Sequence, residues 1–303
     1  LADNRNTAIW LAGHDQNVKG GTGCTVLLFP RGAVAGVDVR GGAPGTRETA
    51  LLEPHCLVEK ISAVVLTGGS AWGLAAADGV MRFCGEKGWG FDTGFGVVPI
   101  VPSACLFDMA FGEPVSPDAD MGYRACVAAA GLEDLPVGSV GAGCGATVGK
   151  YAGLDKAVKS GFGWARVSGD GFEVAALVAV NAFGAVRDDR GGYLAGAASN
   201  DGGVIDPLKV ISGGSHWNDW GKNTTLAAIV TSARLDKPSC RRVAMMAHDG
   251  MADALFPVHT PYDGDTVFCA STGETEGGVL EVGTLARAAL AKAIRRAADP
   301  KNR

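Results

Sequence analysis

The triplet Asn223-Thr224-Thr225 stands where a run of Gly, Asn, Asp and Ser gives way to Leu226-Ala227-Ala228-Ile229-Val230, a pattern suited to a buried strand. A threonine opening such a strand has a stiff, β-branched side chain, so its hydroxyl is held in one direction. A fixed hydroxyl becomes a nucleophile once a base takes its proton. Within a continuous chain Thr224 has no such base, because its own nitrogen is an amide. Breaking the Asn223–Thr224 bond would convert that nitrogen into an α-amine of pKa roughly 7.7–8.0, able to accept the hydroxyl proton near neutrality. Two plainer readings stay open: an N-glycosylation acceptor, and an ordinary loop entering a strand.

Downstream, Asp263-Gly264-Asp265 immediately precedes Thr266-Val267-Phe268. Residues two apart in extended chain face the same side, so both carboxylates can point at one site and hold a proton between them. The alternative is an Asp-Gly turn with solvated carboxylates.

Other motifs do not carry chemistry. Gly68-Gly69-Ser70-Ala71-Trp72-Gly73 follows a strand and opens a helix, but its glycines are out of register for a dinucleotide fingerprint. Trp72 also takes the last glycine position of a nucleophile elbow. Gly141 to Lys150 ends like a phosphate loop, yet Cys144 replaces its first glycine and Tyr151 its magnesium-binding hydroxyl. His248 and His259 lack metal-ligand spacing. No cofactor and no metal are expected.

Several elements must position these residues. The pattern predicts a strand pair over 23–40, a strand at Ala63–Leu66 and a helix from about Ala71 to Cys84. It further predicts strand or loop from Pro99 to Phe107, a helix at Met121–Ala130 and a strand at Val174–Val180. Residues 188–223 are expected to be a long loop ending at Gly221-Lys222-Asn223. A strand from Thr224, a helix at Arg241–Leu255, a strand at Thr266–Ala270 and a helix at Leu285–Ala298 complete the chain. Helix and strand alternate throughout, so the class is α/β or α+β.

The 303 residues hold no run apolar enough to span a membrane, and the first residues lack a signal-peptide pattern. The basic end of the last helix could suggest membrane contact, but the helix is expected to pack at the periphery, so no membrane partner is expected. A net charge of −5 argues against a nucleic-acid partner. The eight cysteines are scattered with no Cys-x-x-Cys pair, so they are expected as small buried hydrophobes in a reducing cytoplasm.

Taken in order, these segments resemble a known family. They are Gly23-Cys24-Thr25-Val26, Val37-Asp38-Val39-Arg40-Gly41-Gly42, Leu66 to Leu74, Gly141 to Lys150, Val180-Asn181, Asn223-Thr224-Thr225, and His259 to Thr266. The chain is similar to the N-terminal-nucleophile amidases that include D-aminopeptidase DmpA, the β-peptidyl aminopeptidases and nylon-oligomer hydrolase. The resemblance implies a four-layer αββα sandwich, N-terminal-nucleophile-hydrolase-like, of the DmpA and ornithine acetyltransferase type. It implies a single self-processing domain, 1–303, cut into a large subunit 1–223 and a small subunit 224–303 that stay together. Oligomers of such heterodimers are expected, a tetramer first.

Carried onto this sequence, the resemblance makes Thr224 the nucleophile and Asn181 a holder of the oxyanion, with Lys150 close to the nucleophile. Asp263 and Asp265 match the acidic pair of the nylon-hydrolase branch. Trp72 stands where many members carry Tyr, which makes its indole N–H the candidate oxyanion or pocket donor. The expected activity is endo-hydrolysis of 6-aminohexanoate oligomers. The alternatives are an aminopeptidase releasing N-terminal D- or β-residues, and a non-catalytic or transferase relative.

Overall fold

The structure is a computed structural model that describes residues 8–214 and 223–302. Nine strands form its principal sheet: β1 (Leu11–Asn17), β2 (Thr22–Val39), β3 (Gly45–Arg47), β4 (Lys60–Thr67), β5 (Ser103–Cys105), β6 (Phe162–Ser168), β7 (Glu173–Asn181), β8 (Thr224–Ala233) and β9 (Thr266–Thr275). Four longer helices accompany them: α1 (Ala76–Glu86), α2 (Ala119–Val127), α3 (Lys237–Ala254) and α4 (Val279–Ala298). The strand order is β6-β7-β8-β9-β2-β4-β5-β3, with β1 paired to β2.

The expected strand pair over 23–40 is instead the single strand β2. Its first half pairs with β1 and β4, and its second half pairs with β9. The register against β4 shifts between Leu28 and Ala33. Pro30 has no N–H to donate there, and Gly32 takes φ +71°, so a turn-like sequence makes an irregularity rather than a hairpin. That break divides one sheet into two facing halves.

Alternation along each strand then sets the layers. On one half, Val174, Ala176, Val178, Ala227, Ile229 and Val267 pack under α3 and α4. Their neighbours Ala175, Leu177, Leu226, Ala228 and Phe268 turn the other way and meet Leu27, Phe29, Val64 and Leu66 of the second half. On that half, Val26, Leu28, Ala63 and Val65 pack under α1 and α2. The order is helices, sheet, sheet, helices, the expected αββα sandwich.

Local chemistry fixes the helix starts. Asp118 accepts from Met121 N and Asp236 from Ser239 N, each capping the helix behind it. The helix expected from Ala71 begins as a 3-10 turn, Ser70–Ala75, before α1. Gly69 and Ser70 both have positive φ ahead of that turn. In α4, Arg295 bonds the carbonyls of Arg187 and Asp253 while Arg296 bonds that of Trp164, so its basic end packs on the protein.

The long loop expected over 188–223 is corrected within its described part. It holds a strand, Tyr193–Ala195, and a short helix, Pro207–Ser212, capped by Asp206. Gly221 and Lys222 lie outside the described residues. Among the described residues no helix is long and apolar enough to cross a membrane. All eight cysteines are free, and all but Cys56 are buried.

Candidate active site

Thr224 opens β8 between an antiparallel and a parallel neighbour. Its Cα partner on β7 is Asn181, so the two side chains share a face of the sheet. Thr224 is only 3% exposed. Its Oγ1 donates to the carbonyl oxygen of Asn223, the residue across the expected cleavage bond. Asn223 forms an isolated parallel bridge with Asp263, and its carbonyl also accepts from Gly264 N at 2.9 Å.

Asp263 and Asp265 do not form a solvated turn; each is 1% exposed. Asp265 accepts from Thr225 N at 2.8 Å and from His259 N at 3.0 Å, and it faces His259 Nδ1 at 2.8 Å. Asp263 accepts from Phe183 N at 3.1 Å, from Thr260 N at 3.1 Å and from the Thr260 hydroxyl. The pair therefore anchors backbone on both sides of the Asn223–Thr224 bond. Burial first, and the neighbouring Asp265 second, push Asp263 up to about 7.

Lys150 lies on a turn that starts at Gly149, whose φ is +81°. A Cβ on Gly149 would sit 2.1 Å from Ala197 N, so only glycine fits. Lys150 Nζ donates to Thr147 O at 2.8 Å, Asn181 O at 3.0 Å and Asn181 Oδ1 at 2.8 Å. Burial lowers its pKa to about 7, while the charge of Asp263 and then of Asp108 pulls the other way. Asn181 Oδ1 also accepts from Thr147 N at 3.1 Å, and Asn181 Nδ2 donates to Phe107 O at 2.8 Å. Lysine and asparagine are thus one bonded unit facing Thr224 across the strands.

Lys150 also lines a cleft of about 220 Å³ whose lining includes Phe107, Asp108, Thr147, Leu154 and Lys159. Asp108 is buried, accepts from Gly69 N at 2.7 Å, and is raised by that burial to about 6.

The structure brings Thr224, Asn181, Lys150, Asp263 and Asp265 together through these bonds, and it leaves Trp72 apart. Trp72, expected as a pocket or oxyanion donor, is 77% exposed on the 3-10 turn. The reason is geometric: the turn docks through Gly69 N on Asp108, and Gly73 packs onto Gly68 O, so the bulky residue between them faces outward. Residues that sequence reasoning missed include His259, Thr147, Phe107 and Asp108. His259 lies in the segment that carries the family resemblance but has no role of its own there, and the others carry no local spacing signal.

A helix-flanked double sheet, with a buried hydroxyl at a strand start beside two carboxylates and a lysine–asparagine unit, defines a hydrolase of peptide-like amide bonds. The particular family follows from comparison: residues 10–301 match peptidase family S58, and the chain belongs to it. An uncharacterized aminopeptidase of Mycobacterium tuberculosis (strain ATCC 25618 / H37Rv) is 44% identical over 261 residues, covering 83% of this chain and 73% of its own. A 6-aminohexanoate-oligomer endohydrolase of Kocuria sp. (strain KY2) is 33% identical over 265 residues, covering 85% of this chain and 71% of its own. Among solved structures, the L-aminopeptidase D-Ala-esterase/amidase of Ochrobactrum anthropi, a variant of the Ntn hydrolase fold, superposes with a TM-score of 0.71. It is 16% identical, and the match covers 96% of this chain and 85% of that one.

Proposed function

We propose that the protein cuts itself between Asn223 and Thr224 and then hydrolyses linear amides with the freed Thr224 as nucleophile. The observation that carries this reading is the Thr224 hydroxyl bonded to the carbonyl of the very bond to be cut. In the cut, Thr224 Oγ1 attacks the Asn223 carbonyl carbon and the C–N bond breaks. The hydroxyl proton ends on the departing nitrogen, and water hydrolyses the resulting ester to free Asn223 carboxylate and Thr224 hydroxyl. In turnover, the new α-amine is the base, an acyl-enzyme forms on Thr224, and water releases the acid. Asn181 would donate to the substrate oxyanion, and Lys150 orients Asn181 and supplies positive charge. Asp263 and Asp265 fix the backbone around the nucleophile and shuttle its proton.

The strand order makes the cut tolerable. Strands β8 and β9 of the small subunit sit between β7 and β2 of the large one, so main-chain bonds on both edges would keep 1–223 and 224–303 together. We further propose four such heterodimers per particle, in the cytoplasm.

For substrate, the cleft combines Phe107, Leu154 and other apolar lining with two lysines. The apolar part of that lining suits a methylene-rich acyl segment and supports endo-hydrolysis of 6-aminohexanoate oligomers, while Asp108 beside the lysines also offers a partner to an ammonium. A second reading is an aminopeptidase acting on D- or β-residues; the name of the 44% identical relative favours an aminopeptidase and is silent on those residues. Incubation with a linear 6-aminohexanoate tetramer and with β-alanyl and D-alanyl amides separates the two; activity confined to the short amides discards the first. For the reaction class, Thr224→Ala should give one uncut, inactive chain. A mutant still split at this bond on a denaturing gel would remove Thr224 as the nucleophile.

A further inference from the structure

We propose that the backbone N–H of Gly264, the middle residue of Asp263-Gly264-Asp265, is the oxyanion donor of the self-cleavage step. The inference rests on the proposed cut at Asn223–Thr224. Two donors are recorded on the Asn223 carbonyl oxygen among the described residues: the attacking hydroxyl itself, and Gly264 N at 2.9 Å. That distance is within the 2.7–3.1 Å at which a donor stabilises developing negative charge. As the carbonyl carbon turns tetrahedral, it moves toward Oγ1 while its oxygen stays against the Gly264 N–H. The electron pair that leaves the C=O bond collects on that oxygen, and it returns when the C–N bond breaks.

The donor is fixed in advance. Ala43 N donates to Asp263 O at 2.8 Å and Arg40 N to Asp265 O at 3.0 Å, clamping the segment on both sides of Gly264. The Asn223–Asp263 bridge sets its register against the scissile bond. Glycine is required by space as well: a Cβ at 264 would lie 2.7 Å from Thr224 Oγ1 and 2.7 Å from Ala43 O. Asn181, by contrast, directs Nδ2 to Phe107 O and Oδ1 to Lys150. Gly264 N–H is thus the donor already on the Asn223 carbonyl before the cut, while Asn181 Nδ2 is held by Phe107 O.

The test removes the Gly264 N–H; the ester also weakens the Asp263 carbonyl as an acceptor for Ala43 N–H, and a second ester controls for that. Cell-free synthesis of the full chain with glycolic acid in place of Gly264 puts an ester where the amide was. A matched chain with lactic acid in place of Ala43 loses the N–H that holds Asp263 O but does not touch Asn223. The rate of appearance of fragment 224–303 is read on the trypsin-resistant, folded fraction of each. The Gly264 ester should be cut about a hundred- to a thousandfold more slowly, as for loss of one oxyanion donor, and the Ala43 ester at close to the unaltered rate. A Gly264 ester cut at the unaltered rate overturns the proposal. So does equal slowing of both esters, or a Gly264 ester that alone fails to become trypsin-resistant, since either makes the bond a structural one. The broader reading is judged separately by Thr224→Ala: if that chain stays whole while the Gly264 ester cuts normally, only the donor assignment fails.

Discussion

Asp265 gives the sharpest measure of how the site is held. Replacing it with Ala removes the acceptor for Thr225 N–H, His259 N–H and the His259 ring nitrogen, at 2.8, 3.0 and 2.8 Å. Each donor left buried and unmatched costs about 1–3 kcal/mol, so three cost roughly 3–9 kcal/mol. Releasing a carboxylate from burial returns part of this, leaving a net loss of about 2–4 kcal/mol. For a chain of this length about 2 °C of melting temperature accompanies each kcal/mol, a fall of roughly 4–8 °C. The comparison should be made in a Thr224→Ala background, where no cut alters the baseline, with melting followed by circular dichroism. Asp265→Asn keeps one acceptor oxygen but turns an NH2 toward a donor, so its loss should fall between wild type and Asp265→Ala. With Thr224 present, Asp265→Ala should also slow the cut, because Thr225 loses its anchor beside the scissile bond. Equal melting temperatures for the single and double variants would refute the claim that Asp265 positions this strand.

Charge gives a second set of outcomes. Asp263 is raised to about 7 from 3.8, so its contribution to stability is complete below pH 3.8 and is lost as pH rises through 7. Asp263→Asn in the uncut background should flatten the stability profile over that window, measured by urea titration at several pH values. Lys150 is lowered to about 7 from 10.5, so its contribution is complete above pH 10.5 and is lost as pH falls through 7. Lys150→Met should flatten that higher window and cut kcat about a hundredfold or more, by leaving Asn181 Oδ1 without its lysine partner. Trp72→Ala should leave turnover nearly unchanged, since the side chain is 77% exposed; a large loss of kcat would return it to the site. Gly79→Ala should lower the melting temperature, because its Cβ would lie 1.6 Å from Ala119 O where α1 crosses α2.

Much of the fold was legible because its strands alternate so cleanly. Val174 to Val180 and Leu226 to Val230 send every second residue to a different core, and that period shows in the sequence. Pro30 and Gly32 misled for a physical reason: the residues that make a turn also make a break inside one continuous strand. Residues 188–214 looked structureless because a three-residue strand and a six-residue helix are too short to show a period. Within the site, Asn223-Thr224 and Asp263-Gly264-Asp265 could be found because each is local. Phe107 and Asp108 could not, since their link to Asn181 and Lys150 is made by folding alone. Trp72 came from the resemblance alone, and local spacing does not show that it lies 77% exposed on its turn.

The arrangement also bears on why a threonine at a strand start suits this chemistry. Main-chain pairing fixes Thr224 against Asn181 on one edge and Leu226 against Thr266 on the other, two residues into the same strand. Breaking the bond before Thr224 would leave both ladders untouched, because Asn223 lies outside them and meets Asp263 in an isolated bridge. The new amine would thus appear on a residue whose position the sheet already determines, beside carboxylates that hold the flanking backbone. A nucleophile inside a loop would lose its place on being cut, whereas one at the edge of a ladder keeps its position and acquires its base in the same step.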